Sequence, residues 1–247
     1  MNRMKNAALQ SGDKHERRIA FFGGSFDPPH RGHLAVAHAA RQALDLDEIL
    51  FAPVGTQPLK LEGASASFEQ RVAMTRLAIA DDAGFAVSPV DAPRAGGQPN
   101  YTIDTLELLH AELGSDCQFF CLMGMDSFLH LPLWRRAAEI PFAATLVVAA
   151  RPGEPLDKLM RHLPHGLTVD SPAVCTQSLH GIPSRCYSLR NAQGATAPFY
   201  LLPSLYVEIS ASEIRSLVRK EAGAEKKLHA LVPPAVADYL RKNRLYE

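Results

Sequence analysis

Five short apolar runs are spaced along the first 150 residues, and a longer segment of different periodicity separates each from the next. The runs are residues 18–23 (RIAFFG), 48–53 (EILFAP), 85–90 (FAVSPV), 118–123 (QFFCLM) and 145–149 (TLVVA). Between the first two, residues 33–44 set Leu34, Ala37, Ala40 and Leu44 along one side of a helix. Ser67 with Gln70 reads as a capping box that opens a helix to about Asp81, with Val72, Ala73, Leu77 and Ala80 turned inward. Residues 102–113 carry Leu106, Leu109 and Leu113 at helical spacing, and a short helix is expected over 133–140. Strands alternating with helices pair in parallel through crossovers. Near-continuous apolar strands are what helices on both faces of a sheet require. The expected fold class is therefore α/β, a doubly wound, mainly parallel sheet. Such sheets bind ligands beyond the carboxyl ends of their strands, where the strand order reverses.

The remaining chain is less regular. Residues 151–198 hold prolines, glycines and little periodicity, so an irregular insertion is expected at about 154–198, with room for one further strand. Strand character resumes at 199–202 and 206–209, and helices are expected over 210–220 and 234–243. Residues 1–17 are polar and read as a disordered tail, with Met4 as an alternative initiator; residues 18–247 form a single domain. The 247 residues suit one large domain.

Charge narrows the partners. Lysine plus arginine is 26 and aspartate plus glutamate is 26. A nucleic-acid coat or an anionic membrane surface needs a basic excess, so neither is expected as a partner. No apolar run approaches the roughly 18 residues of a membrane span, and the start lacks the apolar centre of a signal peptide. The four cysteines form no C-x-x-C pair; buried or idle thiols and a cytoplasmic location are expected.

The turn after the first run carries the chemistry. It reads Gly23-Gly24-Ser25-Phe26-Asp27-Pro28-Pro29-His30-Arg31-Gly32-His33. It is neither G-x-G-x-x-G nor a Walker loop. Two glycines allow a sharp turn and close approach of a ligand to the main chain. His33 falls in the first turn of the next helix, whose free N–H groups and positive dipole end make a phosphate site. With no cysteine or third histidine nearby, two imidazoles fit phosphate better than zinc. A second stretch, Ile209-Ser210-Ala211-Ser212-Glu213-Ile214-Arg215, begins with the capping box Ser210–Glu213. Ser212 and Arg215 lie on the first turns of that helix. Amides, a hydroxyl and a guanidinium together form a second phosphate cradle.

Together and in this order, G-x-F-D-P-x-H-x-G-H and I-S-x-[ST]-x-x-R resemble the nucleotidyltransferase superfamily of the HxGH type. Asn100-Tyr101-Thr102-Ile103-Asp104-Thr105-Leu106, the stretch from Met123 to Trp134 (MGMDSFLHLPLW), and Ala150-Arg151-Pro152-Gly153 are similar to bacterial nicotinate-nucleotide adenylyltransferases. The resemblance covers residues 19–246 apart from 156–198. It implies a Rossmann-like nucleotidyltransferase fold and transfer of AMP from ATP to nicotinate mononucleotide, with release of pyrophosphate, in NAD biosynthesis. ATP is a substrate, and Mg²⁺ is expected to be held mainly by its phosphates and water, with no protein metal site.

On that resemblance His33 and His30 meet the ATP phosphates, and Lys60 and Arg215 balance the leaving pyrophosphate. Gly23, Gly24, Ser25 and Phe26 line the adenylate channel, and Ile209, Ser210 and Ser212 complete the ATP site. Tyr101, Thr102, Ile103, Asp126, Trp134 and Arg135 bind the acceptor, with Trp134 as a plate for the pyridine ring. One departure is clear: the family commonly has Pro-Pro-His-Lys or Pro-Pro-His-Arg after the second strand, and here Gln57-Pro58-Leu59-Lys60 stands instead. The cation is kept and the histidine is not. Other acceptors within the same motifs, nicotinamide mononucleotide or phosphopantetheine, and a non-catalytic nucleotide-sensing module are the competing readings. A homo-oligomer is left open.

Overall fold

A computed structural model of the chain describes residues 16–59, 63–114, 116–150, 159–179, 182–202, 209–220 and 225–247. Eight strands form one sheet: β1 (Arg17–Gly24), β2 (Glu48–Pro53), β3 (Phe85–Val87), β4 (Cys117–Gly124), β5 (Thr145–Ala149), β6 (Leu167–Leu179), β7 (Ile182–Asn191) and β8 (Thr196–Leu202). Their order is β3-β2-β1-β4-β5-β8-β7-β6. From β3 to β8 every neighbouring pair is parallel; β8–β7 and β7–β6 are antiparallel. The helices are α1 (Arg31–Leu44), α2 (Phe68–Ala78), α3 (Thr102–Leu113), α4 (Met125–His130), α5 (Ile140–Ala143), α6 (Ala211–Lys220), α7 (Glu225–Leu231) and α8 (Pro234–Lys242). No helix among the described residues is long and apolar enough to cross a membrane.

β1 shows why the strands read as unbroken apolar runs. Ala20 and Phe22 enter a core shared with α1, α2, α6 and α8, whereas Ile19 and Phe21 enter a second core shared with α3 and α4. Side chains alternate across a strand, so a strand covered on both faces must be apolar at every position. β1 pairs with β2 on one side and with β4 on the other. The chain thus winds outward from β1 in one direction, then returns to start again at β4. The carboxyl ends of β1 and β4 flank the crevice that this reversal opens.

Several expectations need correction. The stretch read as an irregular insertion contains β6, β7 and the start of β8, a hairpin that extends the sheet. Its prolines hid it. Pro172 falls in the break in register between Asp170 and Cys175, and Pro183 lies beyond the part of β7 that β8 pairs. Both are places where a strand can do without an N–H.

α2 turns a different face inward. Arg71, Met74, Thr75 and Ala78 are its buried residues, while Val72, Ala73 and Leu77 are only partly covered and Ala80 is exposed. The inward arginine has partners in the site described below. The expected helix over 133–140 is instead two 3₁₀ turns, Leu131–Leu133 and Ala137–Glu139, followed by α5, with Pro132 and Pro141 at the starts of their turns. α4 before them went unpredicted. β3 is also shorter than expected, ending before Pro89. The expected strand over 206–209 lies outside the described residues except for Ile209. Of the expected tail, 1–15 lie outside them and Arg17 is already in β1.

The segment leaving β2 is fixed tightly. Val54 N–H donates to the Gly24 carbonyl (2.9 Å), and Gly55 N–H donates to the Asp91 carbonyl (2.7 Å). A Cβ on Gly55 would sit 2.5 Å from the backbone nitrogen of Pro93. Backbone cannot swing aside as a side chain can. Gly55→Ala is therefore expected to destabilise the fold by about 1–3 kcal/mol through overpacking, read as a drop of several degrees in thermal midpoint. An unchanged midpoint would show that the 55–57 segment yields.

Candidate active site

The turn from β1 into α1 is held from below by Phe26. This residue takes a left-handed backbone conformation (φ 47°), unusual for a bulky side chain. Its ring is 1% exposed and packs edge-on against Phe22 (5.7 Å between centroids) and His33 (4.9 Å). A Cβ on Gly24 would lie 3.2 Å from that ring, so the second glycine makes room for it. Burial of an aromatic anchor offsets the cost of a strained backbone, which persists only where surrounding structure fixes it. Of the residues expected to line the adenylate channel, Phe26 offers its backbone alone.

His30 caps α1 and His33 is the third residue of the helix. His33 N–H donates to the His30 carbonyl (2.9 Å), and His30 N–H donates back to Nδ1 of His33 (3.2 Å). This is half of a capping box in which an imidazole replaces the usual carboxylate or amide. The rings stack, with centroids 3.7 Å apart. Burial pushes the His30 pKa down to about 4. Burial, then the neighbouring His30, holds His33 well below the ordinary imidazole value. Both rings are neutral at neutral pH. Because Nδ1 of His33 accepts a hydrogen bond, its proton sits on Nε2. Nδ1 of His30 is buried and has no partner. The site holds a neutral donor and an unsatisfied ring nitrogen at a helix amino terminus, where an anion is favoured.

α6 meets this turn from far along the chain. Ser210 and Glu213 form the expected reciprocal cap: Ser210 N–H donates to the glutamate (3.1 Å) and Glu213 N–H donates to Oγ of Ser210 (3.1 Å). Ile214 is fully buried and pins the helix to the core. Arg215 then donates from Nη1 to the Asp27 carbonyl (2.7 Å) and from Nη2 to Oγ of Ser212 (3.1 Å). The two sequence motifs, 188 residues apart, are in contact. Ile209 precedes the cap and is partly buried. Lys60 lies outside the described residues. Leu59, where the family has histidine, is half exposed.

Asp27 and Arg71 belong to the site and were not among its expected residues. Asp27 is 3% exposed. Its carboxylate accepts from the N–H of Ser65 (2.7 Å), the N–H of Ala66 (3.1 Å) and the hydroxyl of Tyr246 (2.6 Å). Arg71, the inward arginine of α2, donates from Nη1 to the Ser25 carbonyl (2.8 Å). Asp27 was visible inside the motif as quoted. No signal in the sequence marks Arg71 or Tyr246.

A second group lies over the other face of the sheet. Tyr101 caps α3 without a side-chain bond, leaving the first-turn amides from Thr102 and Ile103 onward without a side-chain cap. The Arg135 guanidinium lies 4.8 Å from the centre of the Tyr101 ring and 3.7 Å from Asp104, which Arg94 also meets at 3.3 Å. Trp134, next to Arg135 in sequence, is half-buried and packs against the same core as Tyr101. Asp126 is exposed in the first turn of α4, directly after β4. The structure thus brings Tyr101, Thr102, Ile103, Trp134 and Arg135 together.

The 55–57 segment bridges the two groups. Oγ of Ser25 donates to Oε1 of Gln57 (3.2 Å), Thr56 N–H donates to the buried Asn100 side chain (3.0 Å), and Asn100 leads into Tyr101. Asn100 stood in the quoted stretch without a role. Below it, Thr105 donates to Asp91, whose carboxyl burial pushes up to about 6.

Comparison with known proteins places this arrangement. Residues 21–217 match the family model described as cytidylyltransferase-like. A protein of Geotalea daltonii named "Probable nicotinate-nucleotide adenylyltransferase" is 35% identical over 229 residues, covering 93% of this chain and 98% of its own. One of the same name from Gloeobacter violaceus is 37% identical over 231 residues, covering 93% and 96%. Among solved structures, the Plasmodium falciparum nicotinic acid mononucleotide adenylyltransferase complexed with NaAD superposes with a TM-score of 0.65 at 17% identity, covering 93% of this chain and 97% of that one. At that identity the match speaks for the fold.

The depressed histidines carry a stability consequence. Between pH 6.5 and about 4 the unfolded chain binds protons that the folded His30 refuses. Stability therefore falls as the pH drops through that window, and for His30 the loss by pH 4 is on the order of 3 kcal/mol. The thermal midpoint of the ligand-free protein is expected to fall from about pH 7 to about pH 4.5, and His30→Asn to flatten that slope. An identical slope in the variant would refute the buried, neutral state of His30.

Proposed function

The chain belongs to the nicotinate-nucleotide adenylyltransferases, and we propose that the residues just described divide their reaction between an ATP side and an acceptor side. The enzyme transfers the adenylyl group of ATP to nicotinate mononucleotide. A phosphate oxygen of the mononucleotide attacks the α-phosphorus, the bond to the β-phosphate bridge oxygen breaks, and pyrophosphate leaves. No covalent enzyme intermediate is required, so the protein's task is positioning and charge stabilisation.

On the ATP side His33 donates from Nε2 to the α–β phosphate region, and His30 lies beside it at the start of α1. Arg215, Ser212 and the first amides of α6 hold the phosphates that leave, and Lys60 adds a second cation. The backbone of Gly23, Gly24, Ser25 and Phe26 borders the adenylate. On the acceptor side the amides at Thr102 and Ile103 and the Arg135 region meet the nicotinate carboxylate. Trp134 stacks on the ring beside Tyr101, and Asp126 approaches the ribose and phosphate. The observation that carries this reading is the bond from Arg215 to the Asp27 carbonyl, which sets the guanidinium against the loop that carries both histidines.

Mg²⁺ fits this donor set only through the substrate. The carboxylate of the motif, Asp27, is buried and already accepts three hydrogen bonds. The ion would be held by phosphate oxygens and water, with the histidines and Arg215 around those same oxygens, and it supplies neutralisation of phosphate charge.

His33→Ala is expected to lower the rate of pyrophosphate release by about 10²–10³, the usual cost of one preorganised donor, with the thermal midpoint kept. An active variant sinks the role, and an unfolded one assigns His33 to the fold.

The acceptor preference follows from donor chemistry. A carboxylate accepts only, whereas an amide turns NH₂ donors toward some of the site's own N–H groups. Each buried donor left unpaired costs on the order of 1–3 kcal/mol. Nicotinate mononucleotide is therefore expected to exceed nicotinamide mononucleotide in kcat/KM by roughly tenfold to several hundredfold. Trp134→Ala should weaken both acceptors and largely keep the ratio, because stacking does not distinguish them. Equal use of the two acceptors by the unmodified enzyme would refute the nicotinate assignment.

A further inference from the structure

Tyr246 stands 219 residues from Asp27 in sequence, yet its hydroxyl reaches the Asp27 carboxylate at 2.6 Å, in a buried setting. The segment around it follows α8 and carries left-handed backbone at Arg244 (φ 48°) and Tyr246 (φ 68°). Tyr246 itself is 8% exposed and packs in the core shared with α1, α2 and α8. A hydrophobic residue would fill that place as well. The hydroxyl needs another reason.

Around Asp27 stand two guanidinium groups and three neutral donors. Oδ2 accepts from Ser65, and Oδ1 accepts from Ala66 and Tyr246. Arg215 Nη1 is only 3.9 Å from Oδ2, but its hydrogen bond goes to the main-chain carbonyl of Asp27 at 2.7 Å. Arg71 is engaged with the Ser25 carbonyl and lies 5.6 Å from the centre of the Phe68 ring. The hydrogen bonds to the carboxylate thus all come from neutral donors, two on Oδ1 and one on Oδ2, and the nearer guanidinium bonds the main-chain carbonyl instead. We propose that Tyr246 is a positioning residue for the adenylyl transfer: its hydroxyl occupies Asp27 so that Arg215 stays turned toward the ATP phosphates instead of collapsing into a buried ion pair.

The proposal rests on the reading of Arg215 as a phosphate contact. The physical drive is simple. A buried carboxylate left short of a donor recruits the nearest one, and a charge-assisted bond to arginine is the strongest on offer. Less than 1.5 Å separates the present Arg215–Oδ2 distance from such a bond. The phenol is a fitting guard. Burial, followed by the hydrogen bond to Asp27, raises its pKa above the ordinary tyrosine value, so it remains a neutral donor.

Tyr246→Phe tests this in the full chain. Initial rates of pyrophosphate release are measured with ATP varied at saturating nicotinate mononucleotide, then the reverse. The expected result is a KM for ATP raised roughly tenfold to a hundredfold, the scale of losing one hydrogen bond to a charged group. The KM for the mononucleotide and the thermal midpoint stay near their original values. In an Arg215→Ala background the same substitution should change the KM for ATP by less than about twofold, because the residue through which it acts is gone.

A normal KM for ATP in Arg215→Ala alone overturns the assignment of Arg215, and the role of Tyr246 with it. A raised value in Arg215→Ala but an unchanged one in Tyr246→Phe overturns only the role of Tyr246. So do equal effects of Tyr246→Phe on both substrates, additive effects in the double variant, or loss of the fold in Tyr246→Phe, since each assigns the hydroxyl to the structure as a whole.

Discussion

A buried carboxylate organises this protein's working end. Removing the Asp27 charge from water is costly unless its oxygens find hydrogen-bond donors. Those donors come from the N–H groups of Ser65 and Ala66 and the hydroxyl of Tyr246, while Arg215 holds the carbonyl of the same residue. Four stretches of chain therefore have to arrive before the site is complete: the turn after β1, the approach to α2, the first turns of α6, and the segment after α8. Arg71 adds a fifth tie at Ser25. The turn carrying His30 and His33 is clamped on both its carbonyl and carboxylate sides, so its glycines and prolines yield one geometry.

The doubly wound sheet was legible because its physics is local and repetitive. A strand covered on both faces must be apolar throughout, and β1, β2, β4 and β5 show that run within the 18–149 stretch. Two helix starts were legible because they leave a signature: Ser67 with Gln70 and Ser210 with Glu213 form the reciprocal caps that their spacing implies. What failed depended on partners distant in sequence. Arg71 reads as a surface residue until Ser25 is placed beside it, and α2 then has to be rotated to suit. The β6–β7 hairpin lacks an apolar run because an antiparallel strand at the sheet's end buries one face: Tyr187 and Leu189 enter the core while Ser188 and Arg190 do not. The loop carrying Trp134 is shaped by Pro132 and Pro141 rather than by periodicity. Tyr246 had nothing to announce it, since a tyrosine near a last helix is ordinary core until its hydroxyl is seen on Asp27.

Neutral histidines suit the phosphate role proposed for them. A charged imidazolium would attract the triphosphate more strongly, but burial of a second like charge 3.7 Å away would oppose it. A neutral ring still donates one N–H. Its orientation is fixed by the His30 N–H bonded to Nδ1 of His33. The attraction then falls to the helix amino terminus and the arginine. Binding an anion raises the pKa of a nearby imidazole, so on the proposed assignment proton uptake by the pair would accompany phosphate rather than precede it.

The two halves of the site sit on opposite layers of the molecule. The histidines and Arg215 are carried by α1 and α6, over the core that holds Ala20 and Phe22; Tyr101 and Trp134 pack over the core that holds Ile19 and Phe21. In-line displacement needs an acceptor phosphate and the α-phosphorus to meet along one axis. Neither layer can set that axis alone. It is set where the layers share parts: at the carboxyl ends of β1 and β4, adjacent strands about 4.8 Å apart, and along the 55–57 segment. That segment reaches Ser25 through Gln57 and Asn100 through Thr56. The sheet holds the distance between the layers, and the segment holds their register. Gly55 is packed against the backbone of Pro93 with no room for a methyl group, which leaves the segment no slack to shift that register.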